Sequence, residues 1–109
     1  MREVLGERVF VITSEFSQPI SMGEANAVLI DFTVFVLSGT VTVYVQESND
    51  RENWDDVAST VATVIGAYEL RAPSAGSGIA SRYVRVKYVQ SVAEGAMSIL
   101  SVGLTTSSQ

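Results

Sequence analysis

Apolar and polar side chains along this chain alternate with a period close to two and rarely near 3.6, and β-branched and aromatic residues fill each apolar run. Such a pattern belongs to strands whose two faces meet different surroundings, and it predicts an all-β protein. From Arg8 to Phe16, Val9 and Val11 alternate with Phe10 and Ile12. From Ala27 to Leu37 both faces are apolar, with Val28, Ile30, Phe32, Val34 and Val36 on one side and Leu29, Phe35 and Leu37 on the other, which predicts a central strand covered on both faces. Ser38-Gly39 predicts a tight turn into Thr40 to Glu47, where Val41, Val43 and Val45 form one face and Thr40, Thr42, Tyr44 and Gln46 the other. These two runs are expected to pair as a hairpin.

The polar run Ser48 to Asn53 interrupts the alternation with residues whose short side chains bond to nearby backbone, and predicts a loop. Val57 to Ile65 resumes a β-like pattern, Gly66 breaks it, and Ala67 to Arg71 reads as a short strand. Pro73 to Gly78 has the composition of a surface loop. Ala80 to Gln90 alternates again, with Val84, Val86 and Tyr88 expected inward and Tyr83, Arg85 and Lys87 outward. A turn at Glu94-Gly95 leads into a last strand, Ala96 to Leu104, and the polar stretch Thr105 to Gln109 reads as a frayed tail. Met1 to Glu7 reads as an arm ahead of the first strand. About seven or eight short strands separated by turn signals fit an antiparallel two-sheet β-sandwich, in which each inner face gives alternate residues to one core.

A chain of 109 residues is expected to form one domain. Apolar residues make up 47% of it and charged residues 17%, which excludes a disordered chain and leaves little charge to cover a surface. Part of the apolar surface is therefore expected to meet another subunit. Twelve acidic against seven basic side chains give a net charge of −5, and no basic cluster stands ready to neutralise phosphates, so nucleic acid is not an expected partner. There is no cysteine for a disulfide or a thiolate metal site, and no histidine, the commonest general base and transition-metal ligand. The mixed-charge start Met1 to Arg8 does not read as a secretion signal. The longest nearly apolar run, Ala27 to Leu37, contains Asp31 and Thr33 and is too short to span a bilayer. Synthesis in the cytoplasm without membrane insertion is the expectation.

The loop Ser48-Asn49-Asp50-Arg51-Glu52-Asn53-Trp54 and the later segment Arg82-Tyr83-Val84-Arg85 together carry a resemblance. A strand, a loop of the form Ser-x-Asp-Gly-x-x-Trp and a following Arg-Tyr-Val-Arg segment resemble the core of discoidin-type, galactose-binding-like jelly rolls. Ser48, Asn49, Asp50, Asn53 and Trp54 match the first element, and Arg82, Tyr83, Val84 and Arg85 the second. The resemblance covers roughly residues 40 to 104 and implies a jelly-roll-like β-sandwich. Arg51 stands where that family usually has glycine, the framing cysteines are missing, and the long N-terminal loops that carry ligand specificity there have no counterpart. Compact cysteine-free versions of the pattern are similar to small structural proteins of tailed phages, such as head-decoration or tail-associated subunits.

The motif has a structural role open to it: Asp50 or Asn49 bonds to amides within the loop while Trp54 packs over the end of the sandwich and anchors the turn. The functional role is a sugar site, with Trp54 stacking on the ligand and Asn49 and Asp50 bonding to it; as a separate surface, the outward stripe Tyr83, Arg85 and Lys87 offers a contact for a phosphate, a sugar or another subunit, or else is a solvated strand face. Four carboxylates, Asp50, Glu52, Asp55 and Asp56, suit calcium by type but not by spacing, and as a pair for glycoside hydrolysis they lack an apolar setting. No metal, no cofactor and no catalytic group is implied. Met97, Ile99, Leu100 and Val102 place apolar groups on both faces of the last strand, and at a sheet edge they would invite a partner. The reading is a non-enzymatic structural subunit that joins copies of itself or decorates a larger particle, a phage virion component being the specific form. A carbohydrate-binding module using the Ser48 to Trp54 loop, with a glycan as partner, is the alternative.

Overall fold

The computed structural model describes residues 2–11, 14–72, 81–91 and 97–107. They form β1 (Arg2–Val11), β2 (Ser14–Phe16), β3 (Ile20–Ser21), β4 (Ala27–Val36), β5 (Val41–Ser48), β6 (Asp55–Ala62), β7 (Gly66–Ala72), β8 (Tyr83–Gln90) and β9 (Ser98–Ser107). Two antiparallel sheets face each other: one in the order β1-β9-β4-β7, the other in the order β2-β8-β5-β6 with β3 also paired to β8. The protein is an all-β two-sheet sandwich, and its path alternates between the sheets in a jelly-roll-like course.

The period-two pattern explains why the sheets meet as they do. On β5 and β8, Val41, Val43, Val45, Val84, Val86 and Tyr88 all turn inward and are 1% exposed or less. Opposite them, β4 and β9 present Val28, Ile30, Phe32, Val34, Leu100, Val102 and Leu104, each at most 3% exposed. Each such side chain contributes about 1.5–3 kcal/mol by leaving water. Phe32 and Tyr68, directly opposite each other on β4 and β7, stack with centroids 5.1 Å apart and close the core towards that edge.

Several expectations are corrected. The runs Ala27 to Leu37 and Thr40 to Glu47 are not a hairpin, because β4 pairs with β7 and β9 while β5 pairs with β6 and β8. Ser38-Gly39 instead carries the chain across the sandwich, with Gly39 at φ 68°, in the left-handed region that favours glycine. The crossing is tied down on both sides. Ser38 N–H donates to Ser98 Oγ at 3.1 Å, and Thr40 N–H donates to Ser91 Oγ at 2.9 Å while its carbonyl accepts from Ser91 N–H. Ser98 Oγ in turn donates to Gln90 Oε1 at 2.6 Å, so a buried serine and a buried glutamine satisfy each other where the sheets are bridged. The true hairpin is β5–β6, closed by the Ser48 to Trp54 loop.

Arg8 to Phe16 is not one strand but parts of β1 and β2, which lie in different sheets. Ile12 is outside the described residues. Residues 2–7, expected as an arm, belong to β1 and pair with β9, and Thr105 to Ser107, expected as a frayed tail, continue β9. β4 is central in its sheet, but among the described residues no further layer covers its outer face: Leu29, Asp31 and Thr33 are half-buried and Phe35 is exposed. A bulge at Phe35 also moves Val36 from the inner row to the outer face, opposite Ile99. The expected loop Pro73 to Gly78 and turn Glu94-Gly95 fall outside the described residues.

The core holds one discordant group. The Tyr88 hydroxyl is buried with no hydrogen-bond partner among the described residues, and burial pushes its pKa well above the ordinary 10.0. An unsatisfied buried hydroxyl costs on the order of 1 kcal/mol or more, so Tyr88→Phe is expected to raise unfolding free energy by about 1 kcal/mol with an unchanged urea m-value. A loss of stability in urea titrations would show that the hydroxyl is bonded after all.

Candidate functional site

The Ser48 to Trp54 loop is organised around one carboxylate. Asp50 Oδ1 accepts from Glu52 N–H at 2.8 Å, Asn53 N–H at 2.9 Å and Ser48 Oγ at 2.9 Å, and Oδ2 accepts from Asn53 Nδ2 at 2.8 Å. Ser48 Oγ also accepts from the amides of Asp50 and Arg51. The amides of Asn53 and Glu52, then the Asn53 and Ser48 side chains, hold the Asp50 carboxyl well below its ordinary pKa of 3.8. Asn49 Oδ1 accepts from Arg82 N–H at 3.1 Å and so ties the loop to the start of β8. Asn49 and Asp50 therefore spend these oxygens on the fold. Arg51 adopts φ 64°, a conformation that suits glycine, which accounts for the glycine at this place in the similar motif. Its guanidinium lies over the Tyr83 ring at 5.2 Å.

Trp54 does not cover the end of the sandwich. It is half-buried on the outer face of the five-stranded sheet, with the Arg85 guanidinium 4.3 Å from its ring centroid. The same guanidinium lies 4.1 Å from the Phe16 ring, which reaches it from β2 on the other side. Arg85 Nε donates to Gln46 Oε1 at 2.8 Å, and Gln46 Nε2 donates to Asp56 Oδ1 at 2.8 Å. Gln46 is only 6% exposed, so this relay is fixed by packing as well as by its bonds. Burial lowers the Arg85 pKa from its ordinary 12.5. Lys87, two residues further along β8, places its ammonium 5.9 Å from the Phe16 ring and 5.5 Å from the Tyr44 ring.

The result is an outer-face ladder in which rings and cations alternate: Trp54, Arg85, Phe16, Lys87, Tyr44. Of the expected site residues, Trp54 and Arg85 are brought together, Tyr83 lies beside them under Arg51, and Asn49 and Asp50 serve the loop. Phe16, Tyr44 and Gln46 were not legible as partners, because β2 is three residues long and Gln46 sits on what reads as a solvated face. Strand register reveals them: β8–β5 sets Gln46 opposite Arg85 and Tyr44 opposite Lys87, and β2–β8 sets Phe16 opposite Lys87.

The expected assembly residues divide differently. β9 lies between β1 and β4 and is no edge strand, and Leu100 and Val102 are core residues at 0% and 1% exposure. Ile99 faces outward in a row with Phe10 of β1 and Val36 of β4. Around this row Phe35, Val64, Ile65 and Met97 are also exposed. β4 ends here and β7 begins here, so the apolar rim occupies one pole of the sandwich, while the β5–β6 loop occupies the other.

No protein-family model matches the chain, and no curated protein matches it. Solved structures share its fold. The SPBc2 prophage-derived protein YomS superposes with a TM-score of 0.61 at 9% identity, covering 98% of this chain and 92% of that one. PirA superposes with a TM-score of 0.56 at 15% identity, covering 94% and 93%. A CBM4 carbohydrate-binding module superposes with a TM-score of 0.51 at 13% identity, covering 88% of this chain and 61% of that one. The chain thus has a compact sandwich fold seen both in a prophage-derived protein and in a carbohydrate-binding module.

Two outcomes follow for the loop. A carboxyl whose folded pKa is depressed adds stability that is complete above its unfolded value of 3.8 and is lost as pH falls towards the lower folded value. Asp50→Asn is therefore expected to lower the melting temperature at neutral pH and to narrow the gap to wild type below pH 3.8; parallel melting curves down to acid would sink the assignment. At Arg51, a β-branched residue is penalised in the left-handed region while glycine is not. Arg51→Val should destabilise by about 1–2 kcal/mol, whereas Arg51→Gly should stay within about 1 kcal/mol of wild type, relief of the left-handed backbone offsetting the lost Tyr83 contact, measured by urea unfolding.

Proposed function

We propose that this chain is a non-enzymatic structural subunit that assembles with copies of itself or on a larger particle, a phage virion component being the specific form. The observation that carries this reading is the apolar rim at one pole. Phe10, Phe35, Val36, Val64, Ile65 and Met97 are each between 38% and 64% exposed, and Ile99 joins Phe10 and Val36 in one row across three strands. Scattered exposed apolar residues are ordinary, but a contiguous group rimming one end of a small sandwich is characteristic of a surface covered in an assembly. The low charged fraction of 17% points the same way. The fold shared with the prophage-derived YomS, along nearly the whole of both chains, supports a phage origin for such a subunit.

A second reading, glycan binding, is favoured by the ladder built on Trp54 and Arg85 and by the fold shared with a CBM4 module. Under this reading the site moves from the loop to the strand face, since Asp50 is engaged within the loop and Asn49 by the backbone at the start of β8.

Light scattering coupled to size exclusion, across a dilution series, tests assembly. The wild type is expected to exceed its monomer mass of 11.7 kDa and to dissociate on dilution. Phe10→Ser and Ile65→Ser, both at exposed positions, are expected to weaken association by about tenfold or more each while leaving the melting temperature nearly unchanged. A wild-type monomer at every concentration, with variants indistinguishable from it, rules out self-assembly through the rim.

A further inference from the structure

The Arg85 guanidinium is placed unusually for a strand-face cation. Its faces lie against Phe16 and Trp54, its Nε is taken by Gln46, and Gln46 is held by Asp56. Among the described residues no carboxylate is paired with it; the ion pair found there joins Arg71 to Glu69. A guanidinium partly withdrawn from water, held in one orientation and with no counter-ion among the described residues, keeps its Nη donors for an oxyanion. Because the fork is already oriented, little freedom remains to be lost on pairing. Lys87 adds a second cation on the same face, about 7 Å along the strand by the rise of two residues. Arg51, Arg82, Arg85 and Lys87, four of the seven basic residues in a chain of net charge −5, lie on this face or beside its loop.

We propose that the outer face of the five-stranded sheet binds a carboxylated saccharide, with Arg85 and Lys87 pairing successive carboxylates and the rings of Phe16, Trp54 and Tyr44 receiving the sugar rings between them. The proposal deepens the glycan-binding reading of this face and does not depend on the apolar rim at the pole. The alternation decides the ligand class. A sugar acid offers at each unit what the ladder offers in complement: a planar carboxylate for a cation, and a face of C–H groups for the electron-rich face of an aromatic ring. A dense polyphosphate fits poorly, because it offers the rings no face of C–H groups and its higher charge density meets the Asp56 carboxylate beside Gln46. An acidic peptide satisfies the cations but offers the rings no matching repeat.

The test uses Trp54, the single tryptophan of the chain, whose ring lies on Arg85. Oligogalacturonate, a neutral galacto-oligosaccharide of equal length and poly-glutamate are each titrated into the whole protein, following tryptophan emission and, independently, heat by calorimetry. Oligogalacturonate is expected to give a saturable change in both signals, at least about tenfold tighter than the other two ligands, and weaker in about 0.5 M salt than in about 0.05 M. Arg85→Gln should weaken it by about tenfold or more, and Arg85→Lys by a similar factor, since the ammonium keeps the charge and loses the fork. Lys87→Gln should weaken it several-fold, whereas Arg71→Gln, at an exposed position on β7 of the other sheet, should leave it unchanged; urea unfolding confirms that each variant is folded. Equal binding of the neutral oligosaccharide overturns the charge readout while leaving a glycan site standing. Poly-glutamate binding as tightly as oligogalacturonate overturns the saccharide assignment. No heat and no emission change with any of the three ligands overturns the site altogether.

Discussion

The fold depends on the burial of two apolar strand faces against each other. β5 and β8 supply an inner face made almost wholly of valine, and β4 and β9 supply a larger-grained one with Ile30, Phe32, Leu100 and Leu104. Because side chains alternate strictly across a strand, committing Val84, Val86 and Tyr88 to this interface obliges Tyr83, Arg85 and Lys87 to face out, and a slip of one residue would reverse both sets at once. The ladder of rings and cations is thus a consequence of the core. It exists where it does because the valines on the same strands have no other low-energy place to go.

Polar groups do a second job: they hold the places where the chain leaves the strand ladders, at a crossing between the sheets and at the β5–β6 hairpin loop. Ser38, Thr40, Gln90, Ser91 and Ser98 form one set of bonds around the Ser38-Gly39 crossing, and Ser48, Asn49, Asp50 and Asn53 form another around the opposite loop. Backbone at such places has left the sheet ladder, and its donors are satisfied by side chains. Short hydroxyl and carboxyl side chains suit this because they reach neighbouring backbone without occupying core volume. Gln46 extends the same economy to the outer face, where a buried amide transmits the position of Asp56 to Arg85.

The two ends and faces of the sandwich are consequently unlike one another. One pole is apolar and lightly charged; the other carries a rigid acidic loop; between them one sheet face bears aromatic rings interleaved with cations. A single small core supports these surfaces separately, since each rests on outward positions that the core leaves unspecified. A surface for assembly and a surface for a ligand can coexist on one such domain without sharing residues.

The period of two, the β-branched runs and the loop composition were enough to establish an all-β sandwich, the inward valines of β5 and β8, the outward Tyr83, Arg85 and Lys87, and the self-bonded Ser48 to Asn53 loop. These are local properties: each depends on a residue and its near neighbours in the chain. Strand partnership was beyond reach. A tight turn such as Ser38-Gly39 can close a hairpin or carry the chain across a sandwich, and the choice depends on whether β4 finds β9 and β7, segments remote in sequence. For the same reason Leu100 and Val102 read as an edge surface yet lie in the core, and Phe35 and Val36 read as opposite faces until a bulge sets both at the rim. The Arg85 site was half legible, because Trp54 and Arg85 stand out by type, whereas Phe16, Tyr44 and Gln46 acquire meaning only when the register of three strands brings them beside it. Face parity is written along one chain segment, but adjacency across a sheet is decided by the packing of all of them together.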